Sequence, residues 1–551
     1  LSLVGSEMCI RDSLNEMRSK YLWKMGSRMI VFALGMMAIA IAVGYLASKV
    51  GAGVGRDLRT KVFNKVVNFS DAEINKFSTA SLITRTTNDV QQVQMVTVML
   101  LRMVLYAPIM AVGGIIMVIR TGAGMGYIIA IAVVAIAVLM ILLMAFAMPK
   151  FKIMQKLVDK VNLVSREILT GIPVIRAFSR EKHEEKRFDD ANKELTGVML
   201  YTNRVMTFMM PALMIIMNVM SILIVWTSAH RIDAGVMEVG TMTAFITYTM
   251  MIVMAFLMLT MISIMLPRAG VAADRIDEVL KTEVSVNNST DAVDAGRSKG
   301  VVRFNHVSFA YPEADGKVLD DIDFEASPGT TTAIIGSTGC GKSTLVNLIP
   351  RFFDVTEGSI TLDGRDIRNI TLESLRENIG YVPQKGILFS GTIADNIKYG
   401  QLVESDEDML EAAEIAQATE FIEAKPDKYE SQVAQGGNNV SGGQKQRLSI
   451  ARAIARDPMI YIFDDSFSAL DFKTDAALRK ALAPKVKDKT VLIVAQRIST
   501  VMHAEQIIVL DDGKVAGIGT HKELMENCEI YRQIAGSQLS ESELKKSLEV
   551  K

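Results

Sequence analysis

Five stretches of this chain, residues 28–48, 98–119, 126–148, 205–229 and 241–266, remain apolar on every face for about 20 residues or more. A helix rises about 1.5 Å per residue, so each can cross a hydrocarbon core of about 30 Å. Buried helices of a soluble protein rarely need more than about 10–14 such residues, and they keep a polar side for water. The first half is therefore predicted to lie in a lipid bilayer. The composition agrees: 50% of the 551 residues are hydrophobic and the mean hydropathy is +0.26, although 60 basic and 61 acidic side chains are present. The near-zero net charge argues against a nucleic-acid partner, which would call for clustered Lys and Arg. Cys9, Cys340 and Cys528 are too few and too scattered for a disulfide framework or a metal knuckle, which suits a reducing compartment.

The polar loops set an orientation. Residues 49–97 and 149–204 are long and basic (Lys49, Arg56, Arg59, Lys61 and Lys65; Lys150, Lys152, Lys156, Lys160 and Arg166), whereas 120–125 and 230–240 are short, so the two long loops belong in the cytosol. They are predicted to continue the spans as helices projecting some 30 Å. Arg18, Lys20, Lys24 and Arg28 point the other way. With a cytosolic C-terminal half, five spans leave the start outside, and parity predicts a further span upstream. Residues 3–13, Leu-Val-Gly-Ser-Glu-Met-Cys-Ile-Arg-Asp-Ser, read as a translated sequencing adaptor, so residues 1–13 are expected to be foreign. The membrane domain is expected over 14–280.

Residues 281–299 lose apolar periodicity and read as a linker. From 300 to 537, short β-branched runs such as 331–335, 460–463 and 491–495 alternate with helical segments, the pattern of an α/β domain, and 538–551 read as a polar tail.

Directly after the apolar run 331–335 comes Gly336-Ser337-Thr338-Gly339-Cys340-Gly341-Lys342-Ser343-Thr344, leading into a helix. In that context the glycines let backbone N–H groups converge on phosphate oxygens, Lys342 reaches the β and γ oxygens, and Ser343 ligates Mg²⁺. The run Ile460-Tyr461-Ile462-Phe463 ends in Asp464, a carboxylate suited to hold the same ion. Between them lies Val440-Ser441-Gly442-Gly443-Gln444-Lys445-Gln446-Arg447, which puts a hydroxyl and glycine amides at a helix N-terminus, an anion site with no phosphate loop beside it.

Together these strings resemble the ATP-binding-cassette family, in particular exporters that fuse a membrane domain to a nucleotide-binding domain, over residues 14 to about 535. The resemblance implies an α-helical transmembrane domain followed by an α/β P-loop ATPase domain with a helical subdomain, with ATP and Mg²⁺ as cofactors. It implies that Ser441, Gly442, Gly443 and Gln444 cap the γ-phosphate bound by a second subunit. Tyr311, beside Pro312, resembles the aromatic that stacks on adenine; packing on its own strand is the alternative. Gln384, in Tyr381-Val382-Pro383-Gln384, is similar to a glutamine that contacts Mg²⁺ and relays movement. Ser468-Ala469-Leu470-Asp471 resembles a loop that crosses to the partner's site, and segments near 69–77 and 178–187 resemble coupling helices.

Val440 stands where the family usually has Leu, but two other departures from its pattern matter most. Its catalytic Glu is here Asp465, one methylene shorter, and its switch His is here Gln496, which donates a hydrogen bond but cannot shuttle a proton. All the nucleotide-binding positions are intact. The expectation is a site that binds ATP and hydrolyses it slowly, in a heterodimer whose second half-transporter supplies the competent base. The cargo expected is small and amphipathic, drug-like or lipid-like, and the location the cell membrane, with ATPase activity coupled to transport. The rival reading is a regulatory ATP sensor or gated channel. Of 35 methionines only Met409, Met459, Met502 and Met525 lie beyond residue 270; the rest suit either an adaptable cavity or lipid contact. Arg102, inside the second stretch, either lines a cavity or snorkels to the interface.

Overall fold

The computed structural model describes residues 2–121, 124–312, 314, 316–540, 543–544 and 547. It falls into two compact units, Leu1–Val62 with Thr84–Glu278, and Phe63–Ile83 with Val279–Lys551. Within the stretch 14–280 expected as membrane domain, residues 63–83 pack with the C-terminal unit. Residue 1 of the adaptor-like string lies outside the described residues, as do 541–542, 545–546 and 548–551 of the expected polar tail.

The first unit is helical. α1 (Ser2–Val67) begins here; α4 (Val90–Met103), α5 (Tyr106–Arg120), α6 (Gly126–Ala177), α7 (Glu181–Thr207), α8 (Met209–Asp233) and α9 (Val239–Lys281) follow the short α2 (Asp71–Phe77) and α3 (Thr79–Thr84). Five segments are long and apolar enough to cross a membrane: Ser19–Val67, Thr79–Arg120, Gly126–Ala177, Glu181–Asp233 and Val239–Leu259. Little of their apolar surface is buried within the chain, so a bilayer or a second subunit has to cover it. The helices run on well past the apolar stretches, α1 to Val67 and α6 to Ala177. Close approach is permitted by small residues. A Cβ on Gly51 would come within 2.3 Å of Val98, and one on Gly114 within 2.6 Å of Ile252, so α1 meets α4 and α5 meets α9 at glycines. Met125, Ile128, Met220, Ile224, Phe245 and Ile252 form the buried centre.

A single π turn, Arg85–Asp89, precedes α4. It carries two buried charges into contact with the end of α9: Arg85 pairs with Glu278 at 2.7 Å and also donates to the Arg275 carbonyl, while Asp89 faces Arg275 at 3.4 Å. Around 178–187 there is no separate short helix. α6 ends at Ala177, Ser179 turns the chain at φ 51°, and Glu181 already opens α7.

The second unit has two sheets. β1 (Val302–Phe309) lies between β2 (Leu319–Ala326) and β4 (Glu357–Leu362) in an antiparallel sheet extended by β5 (Arg365–Asp366). The central sheet runs β12-β11-β3-β10-β9-β6, with β3 (Thr331–Gly336), β6 (Ile379–Val382), β9 (Ile460–Asp464), β10 (Thr490–Val494) and β11 (Gln506–Asp511) parallel and β12 (Lys514–Gly519) antiparallel at the edge. Buried on both faces, β9 and β10 read as continuous apolar runs, as parallel strands do. Alternation splits them between two cores. Ile462, Leu492 and Ile334 pack with the antiparallel sheet and α10 (Lys342–Leu348); Phe463, Ile493 and Ile335 pack with helices. α11 (Leu372–Glu377), packed through Leu375 on the first of these cores, precedes β6; α12 (Ile393–Lys398), α13 (Asp406–Ile415) and α14 (Thr419–Glu423) follow it on the second, with a strand pair β7 (Gly391–Thr392) and β8 (Gln432–Val433) beside them. α15 (Gly442–Ala455), α16 (Phe472–Lys485), α17 (Ile498–Val501), α18 (His521–Asn527) and α19 (Glu529–Gln538) complete the unit.

Residues 281–299, expected as a linker, lie along this unit and are held by it. Asn378 receives the Ser298 N–H and donates to the Gly296 carbonyl, Ser374 receives the Ala295 N–H, and Asp363 receives the N–H groups of Lys299 and Val301.

Candidate nucleotide site

Open parallel sheets bind ligands beyond the carboxyl ends of their strands, and here four adjacent ends, β3, β10, β9 and β6, each deliver residues singled out from the sequence. From β3 comes the loop 336–344. Gly336 has no room for a side chain, since a Cβ would stand 2.2 Å from the Leu510 carbonyl oxygen. Gly341 sits at φ 96°, where an L side chain is disfavoured, and opens α10. Lys342 is 8% exposed, and its ammonium donates to the carbonyls of Gly336 at 2.9 Å and Ser337 at 2.5 Å. Among the described residues its hydrogen bonds go only to neutral acceptors, exchangeable for the oxygens of an anion.

β9 ends in Asp464, 4% exposed, whose Oδ1 accepts the Ser343 hydroxyl at 2.9 Å. These two oxygens suit a hard divalent cation such as Mg²⁺. Burial, with repulsion from Asp465, lifts the Asp464 carboxyl above the usual range, against the Ser343 hydrogen bond and the nearby Lys342. Asp465 is turned out of the strand at φ 46°, its N–H bonded to the Val494 carbonyl of β10. Burial raises its pKa also, against hydrogen bonds from Gln384 and Ser468 and the charges of Lys342 and Arg497.

The remaining two strand ends converge on Asp465. Gln496, just past β10, donates its side-chain amide to Asp465 Oδ2 at 2.9 Å, and Gln384, just past β6, approaches the same oxygen at 3.4 Å. The two positions whose departures from the family pattern matter most are thus hydrogen-bonded to each other. Tyr311 has its ring edge-on to Phe309 and Phe353, with centroids at 4.9 and 5.2 Å, and its hydroxyl 2.9 Å from Thr344 Oγ1 in the first turn of α10. Its strand-packing role is therefore real, and the ring also borders an open cavity.

Ser441–Gln444 lie at the surface. Ser441 caps α15 and exchanges hydrogen bonds with Gln444, a reciprocal box that fixes the helix start. Among the described residues no hydrogen bond joins them to loop 336–344. Asp471 caps α16 by accepting the Thr474 N–H at 2.9 Å.

Comparison with known proteins decides the family. Residues 13–256 match the ABC transporter transmembrane region and 319–468 match the ABC transporter family. An ABC transporter ATP-binding protein of Mycobacterium tuberculosis is 44% identical over 547 residues, covering 98% of this chain and 93% of its own. The chain belongs to the ABC transporter family. A Bacillus subtilis protein whose name proposes multidrug export is 32% identical, with 89% of this transporter and 84% of that protein covered. A solved structure of a bacterial Atm1-family ABC exporter with ATP bound superposes with a TM-score of 0.74 at 26% identity, covering 90% and 86%. The transporter has the build of an exporter half: a helical membrane domain fused to an α/β ATPase domain, multi-pass, with the ATPase unit in the cytosol.

Sequence reasoning passed over a network that seats the signature helix of the transporter. Gln446 is 2% exposed and donates to the Pro383 carbonyl, one residue before Gln384. Arg452 donates to the carbonyls of Asn396 and Ile387 while lying over Phe389 and Tyr399. A Cβ on Gly386 would sit 2.9 Å from the Lys445 carbonyl oxygen. The sequence carries no periodic signal for it, since Gln446 and Arg452, six residues apart, lie about 240° round the helix from each other.

Proposed function

We propose that this chain is the slow half of a heterodimeric exporter that moves a small amphipathic, drug-like or lipid-like compound out of the cytosol across the cell membrane. The observation that carries the reading is the Asp465–Gln496 hydrogen bond. A general base needs a well-placed lone pair and a partner that can take up or relay the proton, and here the partner of Asp465 Oδ2 is a side-chain amide that cannot accept one. The carboxylate is also set back by roughly 1 Å relative to a glutamate, a misplacement that alone can cost on the order of 10²-fold in rate.

Binding rests on other residues. Lys342 would exchange the Gly336 and Ser337 carbonyls for β and γ oxygens, the amides of 337–344 would surround the phosphates, and Ser343, Asp464 and Gln384 would hold Mg²⁺ directly or through its water. Bound MgATP supplies the phosphoanhydride whose cleavage resets the transporter. Ser441, Gly442, Gly443 and Gln444 close over the γ-phosphate held by the second subunit, whose own base does the faster chemistry. On the membrane side, Arg102 lies with Gln91, Gln94, Met95, Met99 and Met103 along a groove of about 410 Å³, a mixture of soft and polar groups that suits an amphipathic cargo.

The reading is tested with the chain purified in nanodiscs, alone and with candidate second subunits. It requires MgATP binding by the chain alone, turnover that rises at least tenfold in the correct pair, and substrate flux dependent on that turnover. Nucleotide-gated ionic current without flux would instead establish the channel reading.

A further inference from the structure

Tyr311 borders a cavity of about 670 Å³ whose lining includes Asn75 and Lys76 of α2, Glu283, Pro312 and Phe353. The ring is held in place by Phe309, Phe353 and the hydroxyl contact with Thr344. Because Thr344 closes the phosphate loop, a nucleotide with its phosphates on that loop and its base against Tyr311 has the base at this cavity.

The opposite wall is equally well fixed. Glu73, 6% exposed, accepts the Ser70 N–H at 2.8 Å and the Ser70 hydroxyl at 2.5 Å on Oε2, and the Ser285 N–H at 3.1 Å on Oε1. The hydroxyls of Ser70 and Ser285 are 2.7 Å apart, and Ala72 packs on the core of the antiparallel sheet. Burial pushes the Glu73 carboxyl up, but the hydrogen bonds from Ser70 and Ser285 outweigh it and hold it below the usual range. Along this anchored wall Asn75 offers a donor and an acceptor, Lys76 offers donors and Glu283 acceptors, while Pro312 and Phe353 are apolar. Aromatic and apolar faces with a few converging polar groups form a lining suited to a nucleoside.

We propose that α2 forms part of the base-binding half of the nucleotide site, with Asn75 and Lys76 hydrogen-bonding the base or ribose of a bound nucleoside triphosphate. The inference rests on the ATP site proposed above and extends it to a helix outside the ATPase sequence. Occupancy is then felt directly by the segment that runs through α3 into the second membrane span.

The test uses the full chain in nanodiscs, with a fluorescent ATP analogue and ATP as ligands and inorganic tripolyphosphate as a competitor that lacks base and ribose. Asn75→Ala with Lys76→Ala should weaken ATP binding about fivefold to a hundredfold, as the loss of two hydrogen bonds implies, and leave tripolyphosphate competition unchanged. Both residues are exposed, so the fold should persist. Lys342→Ala serves as the control and should weaken both ligands. If Lys342→Ala weakens both while the α2 variant changes neither, the inference fails and the ATP site stands. If the α2 variant weakens both ligands equally, α2 supports the fold rather than the base, which also overturns it. If Lys342→Ala leaves both intact, the nucleotide-site reading itself is wrong.

Discussion

Asp465 and Gln496 meet at a single carboxylate oxygen, and on the proposed function they act as one unit. Asp465→Glu extends the carboxylate into the space Gln496 occupies, and Gln496→His alone faces a carboxylate that is too short. Each single change should therefore raise turnover at this site only slightly, and the double change by more than the product of the two. Single-turnover cleavage of ATP in the four variants checks this; strict multiplicativity would show that the two positions act separately. The left-handed backbone at Asp465 suits Asp better than Glu, so the repair should cost stability, on the order of 1 kcal/mol. Gly341 is less forgiving. A methyl there would meet Leu319 Cδ2 at 2.8 Å with φ at 96°, and Gly341→Ala should lower stability by about 1–3 kcal/mol and abolish nucleotide binding, measured by thermal unfolding with and without ATP. Unchanged melting would contradict the packing at this glycine.

The phosphate loop could be read from the sequence because its glycines, lysine and hydroxyl are contiguous and flanked by a strand and a helix. The Gln496–Asp465 contact could not, since it joins residues 31 apart that meet only when β9 and β10 pair in register. The same holds for Glu73 and Ser285, 212 residues apart. Residues 281–299 lost periodicity because their hydrogen bonds go to side chains such as Asn378 and Asp363, which leave no repeating pattern. The five apolar spans needed no partner information, as a bilayer imposes its length on each helix separately. The C-terminal helices carry a pH prediction. His521, buried at the start of α18, faces the Tyr531 hydroxyl at 2.7 Å and the Ser547 hydroxyl at 3.0 Å. Burial, with His503 adding repulsion, holds its pKa below the ordinary 6.5. The unfolded ring then binds a proton more readily than the native one, so the stabilisation is present above 6.5 and is lost as pH falls through the native pKa. Amide exchange over 521–538, corrected for intrinsic rates, should accelerate as pH falls below 6.5, and His521→Gln should remove the dependence. A pH-independent wild type would contradict the buried neutral imidazole.

In the proposed assembly, loop 336–344 with Lys342 and the Ser441–Gln444 cap of α15 would serve two different ATP sites. On the function proposed above, binding is retained by both and the slow step belongs to the base beside the loop, Asp465. Two copies of this chain would therefore make two slow sites, whereas pairing with a subunit that carries Glu and His at the corresponding positions would make one slow and one fast. This asymmetry is the central claim, and single-turnover cleavage at this chain's own loop tests it most directly, in a heterodimer whose second subunit has its catalytic Glu changed to Gln. The account predicts tight MgATP binding with cleavage at least tenfold slower than at the other site, and acceleration by Asp465→Glu with Gln496→His. Rapid cleavage by the unaltered chain, or no gain in the double variant while ATP remains bound, would contradict it.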